Sequence, residues 1–394
     1  MLLAALLLAF SSWPGANALR PAEARSTVND RALFPAHTQQ LVDIDHQEFN
    51  SSETATPVFD AAQTRVYITL RDGRLRCVVR EKDRDRVQWQ WQAPGAMLPG
   101  PPRDARTHSE TLFVPSADGF LTALNRFTGE VRWQTELKEE LTTTPSIFVE
   151  KLPADASAEQ RENQKRILFV MSSEDAVTAV DAKTGKSLWK VRRERPAGFT
   201  LRGNARVQVA HGLVYAAYSD GSVVALKPTD GAARWIRNLS GSGDYLDVDG
   251  LAAPEDDLWI YAASAKEGVF ALDAQTGDVV WNAALPGANH VLVEGSHVYA
   301  TGKAAIVSLQ RRNGKLAWTT KLGGDRFATQ PVSVNGLLLV SEDRGALLAL
   351  DASTGRPRSA FNPGSGFSMP VLAVPGVAFA ISNEGMWVEL GLLP

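Results

Sequence analysis

Residues 181–190 read "DAKTGKSLWK", and variants of this phrase return along the chain. "NRFTGEVRWQ" begins at Asn125, "KPTDGAARWI" at Lys227, "DAQTGDVVWN" at Asp273 and "QRRNGKLAWT" at Gln310. The glycines of the phrase stand at Gly129, Gly185, Gly231, Gly277, Gly314 and Gly355, about 45 residues apart on average. A self-similar period of that size marks a propeller or another repeat array. In five of the six copies a tryptophan follows the glycine by four residues: Trp133, Trp189, Trp235, Trp281 and Trp318. The sixth copy has Ser359 there.

Around the phrase each period carries the same pattern of short strands. "LVYAAYS" (213–219) leads to Asp220-Gly221, then "SVVALK" (222–227), then Asp230-Gly231, then "AARWIRN". Short β-rich runs joined by Asp-Gly or Thr-Gly read as hairpins, since glycine accepts the positive φ of tight turns. Four antiparallel strands per period make one propeller blade. Inner strands are expected to start near Pro57, Pro102, Pro145, Asn204, Pro254, Asn289, Pro331 and Pro370, which makes eight blades. The last period supplies three strands, "PVLAV", "VAFAIS" and "MWVELG", and "QQLVDIDHQ" (39–47) is expected to supply the fourth. Closing the ring with strands from both ends removes exposed sheet edges. The expected fold is therefore all-β, an eight-bladed propeller over residues 38–394. The polar run "LPADASAEQRENQKR" (152–166) reads as a loop inserted in the third blade, with room for a helical turn.

The phrase itself has a structural job. Asp181 and Asp273 can accept hydrogen bonds from amides of the turn that follows. The tryptophan then lies on the outermost strand, where a large ring fills the wedge between blades. A residue needed at every wedge recurs once per blade, whereas a cofactor ligand appears once in the chain.

Composition and termini narrow the class of protein. The chain has 394 residues, 41 basic against 44 acidic, and a formal charge of −3, a balance that argues against a general nucleic-acid binder. "MLLAALLLAFSSWPGANA" (1–18) combines an apolar run with an Ala-x-Ala ending and reads as a secretory signal peptide, followed by a flexible segment over 19–37. No later run is long enough to span a bilayer. The single cysteine, Cys77, alternates with Leu75 and Val79 and is expected to face the core, leaving no disulfide, cysteine-zinc site or lipid-bearing cysteine. The six histidines are scattered, and no nucleophile elbow, phosphate loop or metal motif stands out, so no cofactor or metal is expected. "RDGRLRCVVREKDRDR" (71–86) holds seven basic residues and reads as a solvated outer face, or else as a contact for an acidic partner or lipid head groups.

"DAKTGKSLW" and "DAQTGDVVW" resemble the repeat of the PQQ-like, quinoprotein-type β-propellers, and the likeness covers nearly all of residues 50–394. Within that superfamily "FTLRGNA" (199–205) and "LDVDGLAAP" (246–254) are similar to two segments of the BamB family, periplasmic scaffolds of outer-membrane β-barrel assembly. The resemblance implies a non-catalytic scaffold in the periplasm, peripheral at the outer membrane. Its partners would be the barrel-assembly protein, BamA-like, and nascent outer-membrane proteins, through Phe199, Leu201, Arg202, Asp247 and Asp249. An Arg between apolar side chains, near two carboxylates, has the make-up of an interface hot spot. Alternatives within the superfamily are a PQQ-dependent dehydrogenase or other ligand-binding propeller, and a generic envelope interaction module. Such dehydrogenases usually carry a vicinal disulfide over the quinone, which a lone Cys77 cannot form.

Overall fold

Each copy of the phrase is the turn between the third and fourth strands of a small antiparallel sheet. In the computed structural model residues 33–40, 56–60, 64–70, 73–80, 85–93, 110–196, 205–241, 243–323 and 326–393 are described. They form eight antiparallel sheets, seven of four strands and one of three described strands. In that second blade the inner strand expected near Pro102 falls outside the described residues. The architecture is an all-β, eight-bladed propeller. The expected signal peptide also lies outside the described residues, and no described helix is long and apolar enough to cross a membrane.

Burial separates the strands of a blade by position. The middle strands of blade 4, Leu213–Ala217 and Ser222–Leu226, are buried at every residue, because a neighbouring blade covers each face of the sheet. Its outer strand, Ala233–Asn238, buries Trp235 while most of its neighbours remain exposed. Eight hydrophobic clusters result, each joining two consecutive blades, and one joins Phe59, Val66 and Ile68 of the first blade to Leu372, Phe379 and Trp387 of the last. The ring is closed by this last cluster.

The tryptophan of one blade docks on the phrase of the next. Trp133, Trp189, Trp235, Trp281 and Trp318 donate their indole N–H to the carbonyls of Ala182, Pro228, Ala274, Arg311 and Ala352, at 2.9–3.2 Å. Trp89 of the first blade, which has no phrase glycine before it, does the same to Arg126 at 3.1 Å. The indole also covers the phrase glycine: a Cβ on Gly277, where φ is +75°, would lie 2.6 Å from the Trp235 ring. Glycine is therefore required twice at this turn, for the left-handed backbone and for the ring that lies on it. The turn aspartates act as expected. Asp181 Oδ1 accepts the Thr184 amide at 2.8 Å, and Asp273 Oδ1 the Thr276 amide at 2.8 Å.

Ser359 breaks the pattern because no phrase lies beyond it. Its neighbour is the strand Leu33–Gln40, whose Leu33 amide donates to Ser359 Oγ at 3.0 Å. That strand completes the last blade by pairing with Met386–Leu392. The closing strand thus begins upstream of the 39–47 segment expected from the sequence; Gln39 and Gln40 lie in it, and residues 41–47 are outside the described residues. A register shift between Pro35 and His37 accommodates the proline, which has no N–H to give to a ladder.

Three other expectations meet particular outcomes. Cys77 is fully buried between the first two blades, and burial pushes its thiol up to about 12, so it is an inert core residue. The 152–166 insertion carries a helical turn, Ala158–Glu162, closed by a capping box between Ser157 and Gln160. Arg80, from the basic stretch, is not spent on a solvated face: it pairs with Glu389 at 2.8 Å and stacks on Phe379, bridging the first and last blades.

Candidate partner-docking site

Because the strands alternate in direction, each blade sends its first and third turns, the phrase among them, to one face of the ring. The second turn and the linker to the next blade emerge on the opposite face, and the residues singled out for docking belong to two of those linkers, except Asp249, which lies at the start of the inner strand that follows the second. Phe199, Leu201 and Arg202, in the first, lie outside the described residues.

What flanks them is well tied down. Before them, Arg193 pairs with Asp220 at 2.7 Å and lies over the Tyr218 ring, while Arg195 sits 3.6 Å from Glu174 and 3.9 Å from Asp175. Asp175 is buried and accepts the Ser219 hydroxyl, which ties blade 3 to blade 4. After them, Arg206 donates to Ser146 Oγ at 3.1 Å, and Val207 is fully buried.

The second linker, between blades 4 and 5, is anchored at both ends. Ser240 Oγ donates to the Leu246 carbonyl at 3.0 Å and lies 2.8 Å from Ser264 Oγ. Asn238 Oδ1 accepts the amides of Ser240 and Gly241 at 3.1 and 2.8 Å. Between these anchors the chain carries Tyr245, 50% exposed and with φ of +56°. A bulky exposed side chain at positive φ is an uncommon arrangement that costs on the order of 1–3 kcal/mol. Sequence reasoning missed Tyr245; its one signal was its place at the end of the glycine-rich "SGSGDY".

The inner strand that follows is Val248–Ala252, so it ends before Pro254 rather than starting there as expected. The strand opens on the Asp-Val-Asp segment itself. Its pairing with Trp259–Ser264 shifts register between Val248 and Gly250, leaving Asp249 at a bulge. Bulges re-aim side chains and gather near functional sites. Gly250 permits the close packing beyond it, since a Cβ there would meet the Asn289 carbonyl at 2.9 Å.

The structure places the two carboxylates differently. Asp247 is 0% exposed, and its carbonyl accepts the Ala265 amide at 3.0 Å. Asp249 is half-buried, and its Oδ1 has no hydrogen-bond partner among the described residues. Burial first, and the neighbouring Asp247 second, push the Asp249 carboxyl up to about 8 from its ordinary 3.8.

This shift has a consequence for stability. The fold favours the protonated acid, so folding takes up a proton between about pH 4 and pH 8. The contribution of Asp249 is full at acid pH and is lost as pH rises through that window. Asp249→Asn, which cannot ionise, is expected to stabilise the protein at pH 9 by on the order of a few kcal/mol relative to wild type. At pH 4 the two melting temperatures should agree within about 2 °C. Equal melting temperatures at pH 9 would contradict the burial of this charge.

Among the described residues no group of three or more His, Cys, Asp or Glu is placed to hold a metal ion. The arrangement offers an acidic, partly desolvated carboxyl at a bulge, in the same segment of chain as an exposed tyrosine.

A family model described as "Outer membrane protein assembly factor BamB" matches residues 71–299, 246–356 and 302–385. The outer membrane protein assembly factor BamB of Shewanella oneidensis is 27% identical over 251 residues, covering 62% of this chain and 59% of that protein. The chain thus spans about three fifths of the length of that curated relative. A polyvinylalcohol dehydrogenase from a Pseudomonas species is 26% identical over 254 residues, 61% of this chain and 36% of that enzyme. Among solved structures, BamB from Moraxella catarrhalis superposes with a TM-score of 0.73 at 20% identity, covering 91% of this chain and all of that one, a likeness of fold.

Proposed function

That the chain belongs to the outer membrane protein assembly factor BamB family is the premise from which we propose its function: a non-catalytic scaffold of the cell envelope that assists outer-membrane β-barrel assembly. It docks the barrel-assembly protein, BamA-like, on the face where the blade-to-blade linkers emerge, and holds it or nascent outer-membrane proteins in position on the periplasmic side. The observation that carries this reading is Asp249: a carboxylate at a bulge, half-buried, with one oxygen unpartnered and destabilising to its own fold. Such a group gains most when a partner's cationic side chain reaches it, because the charge is then paired in a partly desolvated place. Asp247, buried behind it, acts through Asp249, while Phe199, Leu201 and Arg202 supply the apolar and basic part of the contact.

The test is recovery of the barrel-assembly protein from envelope extracts on immobilised protein. Asp249→Asn and Arg202→Glu are each expected to cut recovery at least about tenfold, the cost of losing one interfacial charge. Asp249→Asn should do so while the melting temperature holds or rises. Recovery unaffected by both changes would sink the assignment of this face.

The stretch shared with a polyvinylalcohol dehydrogenase supports a second reading, an oxidoreductase that uses the central channel. Dye reduction by the purified protein with quinone, calcium and an alcohol would establish that reading over the scaffold.

A further inference from the structure

The six copies of the phrase carry an internal comparison. Its second position, whose carbonyl receives the indole N–H of the previous blade, is Ala182, Ala274 and Ala352 in three blades and Pro228 in a fourth. In the other two it is arginine, Arg126 and Arg311. A small residue suits the wedge, so each arginine there calls for a reason.

Arg311 has one within the chain. Its Nε donates to Asp257 Oδ2 at 2.7 Å, its other nitrogens reach the Gly295 carbonyl at 3.0 Å and Asp256 at 3.4 Å, and against the effect of burial the Tyr261 hydroxyl and Arg311 together hold the Asp257 carboxyl below its ordinary range. Arg126 has no such partner. It forms no ion pair among the described residues, its Nε is buried without a hydrogen-bond acceptor, and its guanidinium lies over Phe127, 4.6 Å from the ring centroid. A second guanidinium, Arg65, lies over the same ring at 5.1 Å. The carboxylate nearest in kind to Asp257 is Asp60, and it is taken up locally: it accepts the Thr64 amide and hydroxyl and the Arg65 amide at 2.8–3.1 Å, and approaches Arg65 NH1 only to 3.6 Å. The backbone beneath Arg126 is held firmly, since its carbonyl accepts both the Trp89 indole at 3.1 Å and the Tyr67 hydroxyl at 3.3 Å.

We propose that Arg126, with Arg65 stacked on the same Phe127 ring, forms an oxyanion-binding site for a phosphoryl group at the joint between the first two blades. A half-buried guanidinium without a counter-ion is costly unless something outside the chain supplies one. Stacking on Phe127 occupies the faces of the two guanidinium groups; Arg65 Nε donates to Gln88 Oε1 at 3.1 Å and its NH1 lies 3.6 Å from Asp60, so the donors left for a ligand are the terminal N–H groups of Arg126, which can take phosphate through paired N–H···O bonds, with the remaining terminal group of Arg65 beside them. The phosphoryl group is the favoured oxyanion because its charge of nearly two matches two guanidinium groups, while the described carboxylates beside them are engaged, Asp60 with Thr64 and Arg65 and Glu110 with Arg132. The site lies on the phrase face, opposite the linkers, so it stays open while a partner occupies the other side. It is independent of the scaffold reading.

Arg126→Ala places at this position the residue that three other blades already use, and it keeps the backbone carbonyl, so the variant is expected to fold with an unchanged or higher melting temperature. Two probes separate the sources of the phosphoryl group: inorganic phosphate in calorimetry at constant ionic strength, and co-sedimentation with phosphatidylglycerol vesicles against phosphatidylcholine vesicles. The expected result is binding by wild type, weakened about tenfold or more in Arg126→Ala and less in Arg126→Lys. Loss with phosphate alone identifies a free phosphate ligand, and loss with phosphatidylglycerol vesicles alone a lipid head group. Arg311→Ala is the control, lowering the melting temperature and leaving both probes unchanged. Equal binding by wild type and Arg126→Ala in both arms overturns the proposal, as does Arg126-dependent binding of polyglutamate with none of phosphate or vesicles.

Discussion

Replacing Trp235 with alanine is expected to destabilise the protein by roughly 3–5 kcal/mol, the range for removing a large buried aromatic. The indole is 9% exposed and packs beside Tyr215 at 6.0 Å between ring centroids. Its ring also covers Gly277 of the next blade. Most of the loss is packing rather than hydrogen bonding. The Ala274 carbonyl that accepts the indole N–H at 3.0 Å also accepts the Tyr215 hydroxyl at 3.1 Å, so truncation leaves it bonded. The cavity stays because Gly277 has no side chain with which to fill it. In a chain of this size the change corresponds to a drop of roughly 4–6 °C in melting temperature. Ser359→Ala, at the one copy without a tryptophan, should cost about 1 kcal/mol, the worth of its hydrogen bond to Leu33. Equal losses at the two positions, read by thermal or denaturant unfolding, would show that the rings are not what joins the blades.

Removing residues 1–40 is expected to have a still larger effect. The strand Leu33–Gln40 covers the edge of Met386–Leu392 through seven paired positions, and Leu33 is buried in the cluster between the last two blades. Counting about 1 kcal/mol for each lost backbone hydrogen bond and about 2 kcal/mol for Leu33, the loss is roughly 5–10 kcal/mol. That is comparable to the whole net stability of a typical protein. The bare edge of Met386–Leu392 would also offer unpaired N–H and C=O groups to other chains. Size-exclusion chromatography should therefore show oligomers or aggregate, and adding a peptide of residues 33–40 should restore monomer. A truncated chain that stays monomeric with a melting temperature within a few degrees of wild type would mean the ring does not depend on this strand.

The repeat was legible from the chain alone because its determinants are local. A turn aspartate, a glycine and a tryptophan four residues on specify one hairpin, and recurrence at about 45 residues specifies how many hairpins the ring holds. The three strands of the last period were likewise readable at 372–374, 377–381 and 386–392. The departure at Ser359 was visible too, but its meaning was not, since the partner it meets, Leu33, is 326 residues away.

The same distinction governs what went astray. "QQLVDIDHQ" alternates as a strand does, yet the described closing strand opens six residues earlier, in "LFPAHTQQ", whose proline a purely local reading penalises. Register with Met386–Leu392 and the bond to Ser359 set where it opens, and neither exists until the ends of the chain meet. In the candidate site, the sequence marked Asp247 and Asp249 as a pair and left them equivalent. Tertiary packing separated them, because the bulge turns Asp249 toward a partly desolvated place while Ala265 and its neighbours enclose Asp247. The unpaired state of Arg126 was hidden for the same reason, since Arg311 looks identical in its copy of the phrase until Asp257 is found beside it. By itself the sequence determined the blade, its number and the joints that recur, all of which rest on contacts a few residues or one period apart. Which strand seals the ring, which carboxylate is strained and which arginine lacks a counter-charge were decided only by the tertiary structure, because burial and charge pairing depend on neighbours that folding alone brings together.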